Sequence, residues 1–189
     1  TLRLLVDAGR PSRNRQLARP RHGGMNRHPA LAPSTDPSHR LSPAMSTPPA
    51  APILTVAQAQ ELNARFRAAP LADILAWAWQ TFGVRAAIGT SFQGAGLVLM
   101  HAARQSDWAF PVFTLDTGLL FPETVALRRQ WEAHFGYAIE ALTPELTVER
   151  QAEIHGPALW SRDPDLCCTL RKVLPLQEKL ATLDCWITG

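Results

Sequence analysis

The 189-residue chain has three cysteines, one tyrosine and no run of about 18 apolar residues. Three thiols, one of them isolated, cannot build a disulfide framework. They point instead to a reducing cytoplasm, with thiols kept for metal binding or catalysis. Without a long apolar run, neither a membrane-spanning helix nor a membrane partner is expected. An uninterrupted apolar secretory segment is also missing, as are a Walker A ending, a GxGxxG fingerprint and any internal repeat.

Acidic residues are scarce in one part of the chain only. Residues 1–50 hold eight arginines against Asp7 and Asp36, a net +6, while the rest holds 11 Lys and Arg against 14 Asp and Glu, a net −3. The basic character belongs to a Pro/Arg-rich leader, so nucleic acid is not expected as a partner of the domain. Residues 1–52 have no apolar periodicity to offset their ordering entropy, and a disordered leader is expected there, ahead of a domain at 53–189. The leader starts at Thr1 and contains Met25 and Met45. Either methionine is a candidate natural start, with a disordered basic arm as the alternative.

Beyond Pro52 helices and strands alternate. Thr55 with Gln58 forms a capping-box arrangement, and PLADILAWAWQTFG reads as a second helix stopped by Gly83. VRAAIGT (84–90), FPVFTLD (110–116) and YAIEALT read as strands. AGLVLMHAARQ and PETVALRRQWEAHFG are the helices between them. This order predicts right-handed βαβ units and a parallel α/β sheet. Residues 144–166 read as a short helix and a loop, CCTLRKV as the start of a helix interrupted at Pro175, and DCWITG as a last strand. Ligands of such sheets sit beyond the carboxyl ends of the strands.

Two strand-end loops are therefore candidate sites. IGTSFQGAG (88–96) brings the hydroxyls of Thr90 and Ser91, then Phe92, Gly94 and Gly96, to the start of a helix, where N–H groups attract an anion. A tight turn that binds nothing is the competing reading. LDTGLLFPET (115–124) places Asp116 at a strand end, followed by Thr117, Gly118 and the apolar run Leu119, Leu120 and Phe121. That run reads as the side of a pocket for an adenine ring, or as a plug under the loop.

The stretch DLCCTLRK sets Cys167 beside Cys168 and follows them with Arg171 and Lys172. Neighbouring Cα atoms, about 3.8 Å apart, are too close for an unstrained disulfide. Two thiolates at a helix start, near two cations, suit a soft metal such as iron. Cys185, in an apolar run, reads as a core residue.

Together TSFQGAGLVLMH, LDTGLLFPET, CCTLRKVLPL and WITG resemble, from about Val84 to Gly189, the adenylyl-sulfate and phosphoadenylyl-sulfate reductase family. The resemblance implies a Rossmann-like fold of the adenine-nucleotide α-hydrolase (PP-loop) type. It implies that Thr90, Ser91, Phe92 and Gly94 hold the phosphosulfate and that Asp116, Thr117 and Gly118 border the nucleotide pocket. Arg171 and Lys172 become candidate contacts to the anionic substrate. Cys167 and Cys168 become two of the four ligands of a 4Fe-4S cluster, as in the branch that mostly uses adenylyl sulfate. The implied reaction is thioredoxin-dependent reduction of adenylyl sulfate to sulfite and AMP, through a nucleophilic cysteine in a carboxy-terminal segment.

The family pattern continues past Gly189 with a Cys-x-x-Cys and that nucleophile, so a truncated, inactive copy is expected here, with no catalytic residue of its own. The alternatives are the 3′-phosphorylated substrate, an ATP pyrophosphatase, or a non-catalytic nucleotide or iron–sulfur module. The pyrophosphatase reading is weakened because the loop lacks that class's aspartate. A homo-oligomer is left open.

Overall fold

The computed structural model describes residues 3–5 and 54–189. The disordered leader and the start at Met25 or Met45 fall outside the described residues, apart from strand β1 (Arg3–Leu5). The domain is built on four parallel strands, β2 (Ala86–Gly89), β3 (Val112–Leu115), β4 (Glu140–Leu142) and β5 (Cys185–Thr188). Their order is β5-β2-β3-β4, with β1 antiparallel on the outer side of β5. Registers run Ala86–Cys185 through Ile88–Ile187 on one side of β2, and Ile88–Val112 on the other.

All four residues of the central strand β2 are buried, as expected where helices cover both faces of a parallel sheet. Alternation divides them between two cores. Ala86 and Ile88 join Leu75, Leu99, Met100, Phe135 and Ile187 on one side. Ala87 joins Phe113 and Leu142 on the other, closed by Leu176 and Trp186.

Local chemistry sets the helix bounds. Helix α1 (Val56–Phe66) starts with the capping box, Thr55 N–H donating to Gln58 Oε1 at 2.9 Å and Gln58 N–H to Thr55 Oγ1 at 3.3 Å. It buries no residue, whereas α2 (Leu71–Phe82) buries Ile74, Leu75, Ala78 and Phe82. Trp77 and Trp79 are both half-buried against the core, on Phe66 with Phe82 and on Phe110 respectively. Helices α3 (Gly94–Gln105) and α4 (Pro122–Phe135) make the two crossovers, α4 ending at Gly136 in the left-handed region.

The stretch 144–166 is more helical than expected. It forms α5 (Val148–His155), α6 (Leu159–Arg162) and the first turn of α7 (Pro164–Cys168). Arg162 ties the segment together, donating to the carbonyls of Pro157 at 2.8 Å and His155 at 2.5 Å. From α7 the helix continues through a π-turn at Thr169–Val173 into α8 (Leu174–Leu180). Pro175 explains the π-turn. Its ring would collide with the carbonyl four residues back, and the wider turn relieves that contact without ending the helix.

Before β5, Asp184 accepts from both Nε and Nη2 of Arg85, and its N–H donates to the Arg85 carbonyl at 2.9 Å. The amino ends of β2 and β5 are thereby tied together.

Candidate functional site

The loops after β2 and β3 leave the same edge of the sheet side by side. Thr90 N–H donates to the Phe113 carbonyl at 3.0 Å, and Asp116 N–H to the Leu142 carbonyl at 2.9 Å. Both loops are shaped by short hydroxyl or carboxylate caps. Thr90 is buried and its Oγ1 accepts from Phe92 N–H at 2.9 Å, which holds Phe92 at φ 62°. A non-glycine residue rarely takes that conformation. Here the Phe92 ring packs in the core, so only its backbone and the exposed Ser91, Gln93 and Gly94 face outward into the loop. Gly96 lies so close to Thr90 Oγ1 that a Cβ would collide with it.

In the second loop Asp116 accepts from Gly118 N–H at 3.0 Å and Thr117 Oγ1 from Leu119 N–H at 3.2 Å. Gly118 has φ 68°, and an added Cβ would come within 3.0 Å of Arg171 Nη2.

The cysteine pair sits further into its helix than the sequence suggests. The helix starts at Pro164, capped by Asp163, whose side chain accepts from Leu166 N–H at 3.0 Å. Cys167 and Cys168 are thus the fourth and fifth residues, with Cys167 N–H already bonded to the Asp163 carbonyl at 3.0 Å. The proline was the missed signal, since it is favoured in the first turn of a helix. Successive helical residues point about 100° apart. Cys167 is accordingly buried and Cys168 exposed, yet both line one cleft of about 310 Å³. Leu119, Leu120 and Trp160 form its apolar wall and Lys172 its charged rim. The run after Asp116 therefore faces the thiols instead of plugging the loop, and Phe121 is 77% exposed.

Arg171 departs most from expectation. It is 3% exposed, and two of its nitrogens are spent on the protein. Nε donates to the Thr117 carbonyl at 2.5 Å, and Nη1 to Gln151 Oε1 at 2.9 Å and the Leu146 carbonyl at 3.3 Å. One guanidinium thus joins the loop after β3, the loop after β4 and helix α5. Gln151, 2% exposed, was not singled out from the sequence. The available signal was a polar residue on the inward face of VERQAEIH, among Val148, Ala152 and His155 at helical spacing.

Among the described residues no three of His, Cys, Asp and Glu converge as a metal site. Two soft thiols on one cleft fit half of the ligand set of an iron–sulfur cluster. Cys185 does not extend it. It is 1% exposed at the start of β5, and burial pushes its thiol up to about 12.

Residues 85–189 match the phosphoadenosine phosphosulfate reductase domain family. The chain is 45% identical over 117 residues to an adenosine 5′-phosphosulfate reductase of Streptomyces coelicolor, covering 62% of this chain and 49% of that protein. It is 38% identical over 130 residues to a protein of the same name from Halalkalibacterium halodurans, covering 68% and 56%. The chain spans about half the length of the curated relatives it matches. Among solved structures, a phosphoadenylyl-sulfate (PAPS) reductase from Candida auris, in a phosphate complex, superposes with a TM-score of 0.60 at 28% identity. That superposition covers 66% of this chain and 62% of the other, and it agrees with the expected Rossmann-like, PP-loop type of sheet.

Proposed function

The chain belongs to the phosphoadenosine phosphosulfate reductase domain family, and from that premise we propose that it is the nucleotide-binding and thiol-bearing part of an adenylyl-sulfate reductase. The observation that carries this reading is the common cleft of Cys167, Cys168 and the loop after β3, at the sheet edge where such folds bind ligands. Adenylyl sulfate is favoured over its 3′-phosphorylated form by the thiol pair and by the names of the curated relatives.

In this reading the N–H groups of the exposed Ser91, Gln93 and Gly94, at the start of α3, receive the phosphosulfate. Thr90 acts from beneath, holding the loop through Phe92 N–H. Asp116, Thr117 and Gly118 border the nucleoside, and Lys172 on the cleft rim faces the sulfuryl oxygens. Cys167 and Cys168 would hold a 4Fe-4S cluster together with two ligands from outside the described residues. That group would supply a fixed electrostatic field beside the substrate.

The reaction takes sulfur down by two electrons. A thiolate attacks the sulfuryl sulfur and breaks its bond to the AMP phosphate oxygen, leaving a thiosulfonate. A dithiol such as thioredoxin then releases sulfite and ends as a disulfide. The nucleophile is not assigned to this chain, since Cys185 is buried and holds its proton. A cytoplasmic setting suits free thiols and a dithiol donor.

Calorimetric titration of the chain with AMP tests the binding step. Micromolar to millimolar binding that Asp116→Ala and Ser91→Pro abolish is expected, and absence of any AMP heat in the folded chain overturns the reading. Thioredoxin-coupled sulfite release by the full-length gene product, fed adenylyl sulfate or its 3′-phosphorylated form, decides the substrate.

A further inference from the structure

A buried arginine is normally met by a carboxylate, because desolvating a charge is costly unless it is paired. Arg171 is met by none. Its three acceptors are the Thr117 carbonyl, the Leu146 carbonyl and the side-chain amide oxygen of Gln151. All are neutral, and no described carboxylate forms an ion pair with it, although Glu149 on the first turn of α5 feels its charge at longer range. Among the described residues the other charged group lining the cleft is Lys172, which adds to Arg171. The third nitrogen, Nη2, has no acceptor among the described residues. It stands beside Gly118, where any side chain would crowd it.

We propose that Gln151 is a positioning residue of this site: it holds Arg171 without neutralising it, so that the Nη2 edge presents a full positive charge to an anionic sulfuryl or phosphoryl group in the thiol cleft. A glutamate would fit the same space and bond the same Nη1, and would cancel the charge. The neutral amide therefore has a consequence that packing alone does not require. The inference deepens the proposed function and rests on it for the identity of the anion, though not for the charge.

The test uses Cys168, the exposed thiol of the cleft, as a local probe. Its alkylation rate with iodoacetate, an anion, is divided by its rate with iodoacetamide, a neutral reagent of similar size, in the reduced full chain. The ratio cancels thiolate fraction and access and reports the local potential. Gln151→Glu is expected to lower the ratio by about 3- to 10-fold, the effect of one unit charge at partly screened range, with the iodoacetamide rate kept within about 2-fold. Gln151→Met, which keeps Arg171 charged but loses the bond to Nη1, is expected to lower the ratio by clearly less than Gln151→Glu. An unchanged ratio in Gln151→Glu, or an equal fall in both variants, overturns the proposal.

Should Gln151→Glu fail to fold, Lys172→Gln isolates the contribution of Arg171. A ratio still above that of the urea-unfolded chain supports the proposal, and one equal to it overturns the proposal. AMP titration of the same proteins reports separately on the functional reading. A chain that binds no AMP but keeps the charge-dependent ratio loses that reading and retains this inference.

Discussion

Adding one methyl group at Gly96 should destabilise the domain through Thr90 and not through the helix that carries it. In isolation Gly→Ala inside α3 would favour the helix by about 1 kcal/mol. Here the new Cβ meets Thr90 Oγ1 in hard contact and lies 3.1 Å from Thr90 Cβ. Thr90 is buried and β-branched, so it cannot turn away cheaply. If its hydroxyl is displaced, the buried Phe92 N–H loses its acceptor, which costs about 1–3 kcal/mol, and overpacking adds about 1–3 kcal/mol. The net expectation for Gly96→Ala is a loss of about 1–5 kcal/mol, at roughly 3–5 °C in Tm per kcal/mol for a domain of this size.

A double-mutant cycle by urea unfolding separates the causes. Thr90→Ala removes the obstructing oxygen, so the double variant Gly96→Ala/Thr90→Ala should be more stable than the sum of the singles by about 1 kcal/mol or more. Thr90→Val keeps the bulk and should not rescue. Additivity within about 0.5 kcal/mol, or equal rescue by valine, would refute the argument that Gly96 is required by the loop's hydroxyl cap.

Alkaline stability should fall more steeply than composition suggests. Cys185 is raised from 9.0 to about 12 by burial and by Asp184. From pH 9 upward the unfolded chain therefore releases a proton that the folded one keeps, and stability drops by about 1.4 kcal/mol per pH unit. Tyr137, raised to about 12 by burial, adds to the slope above pH 10. Cys185→Ala should remove the part between pH 9 and 10, read from urea midpoints across pH. Thr55→Ala should lose the capping box, at about 1 kcal/mol locally. Since α1 buries nothing, the loss should appear as faster amide exchange in Val56–Phe66 with the global midpoint unmoved. Asp184→Asn should cost about 1 kcal/mol, less at high salt, because Arg85 in that pair is 40% exposed.

The parallel sheet was readable because its signals are local. Apolar runs at 86–89 and 112–115 are bounded by small residues, a proline opens α4, and Gly83 and Gly136 end helices. The two strand-end loops were legible for the same reason. What escaped was long-range. Arg171 has acceptors 20, 25 and 54 residues away, and no spacing rule joins them. The φ of 62° at Phe92 and the packing of its ring in the core depend on the folded loop, and no residue pattern announces them. The depth of the thiols in their helix is set by the Asp163–Pro164 pair ahead of them and not by the cysteines themselves.

The π-turn at Thr169–Val173 holds one surplus residue in an otherwise continuous helix. In an ordinary helix an extra residue would rotate everything beyond it by about 100°. The wider turn absorbs it instead, so the turn bearing Cys167 and Cys168 keeps its phase with the turn whose Leu176 is anchored on the sheet. A residue deleted elsewhere along 164–180 has no such slack and would swing the thiols about 100° off their cleft. The aim of the thiol pair thus depends on the count of residues between it and Pro175, and the one place where that count can be absorbed is the turn that Pro175 itself requires.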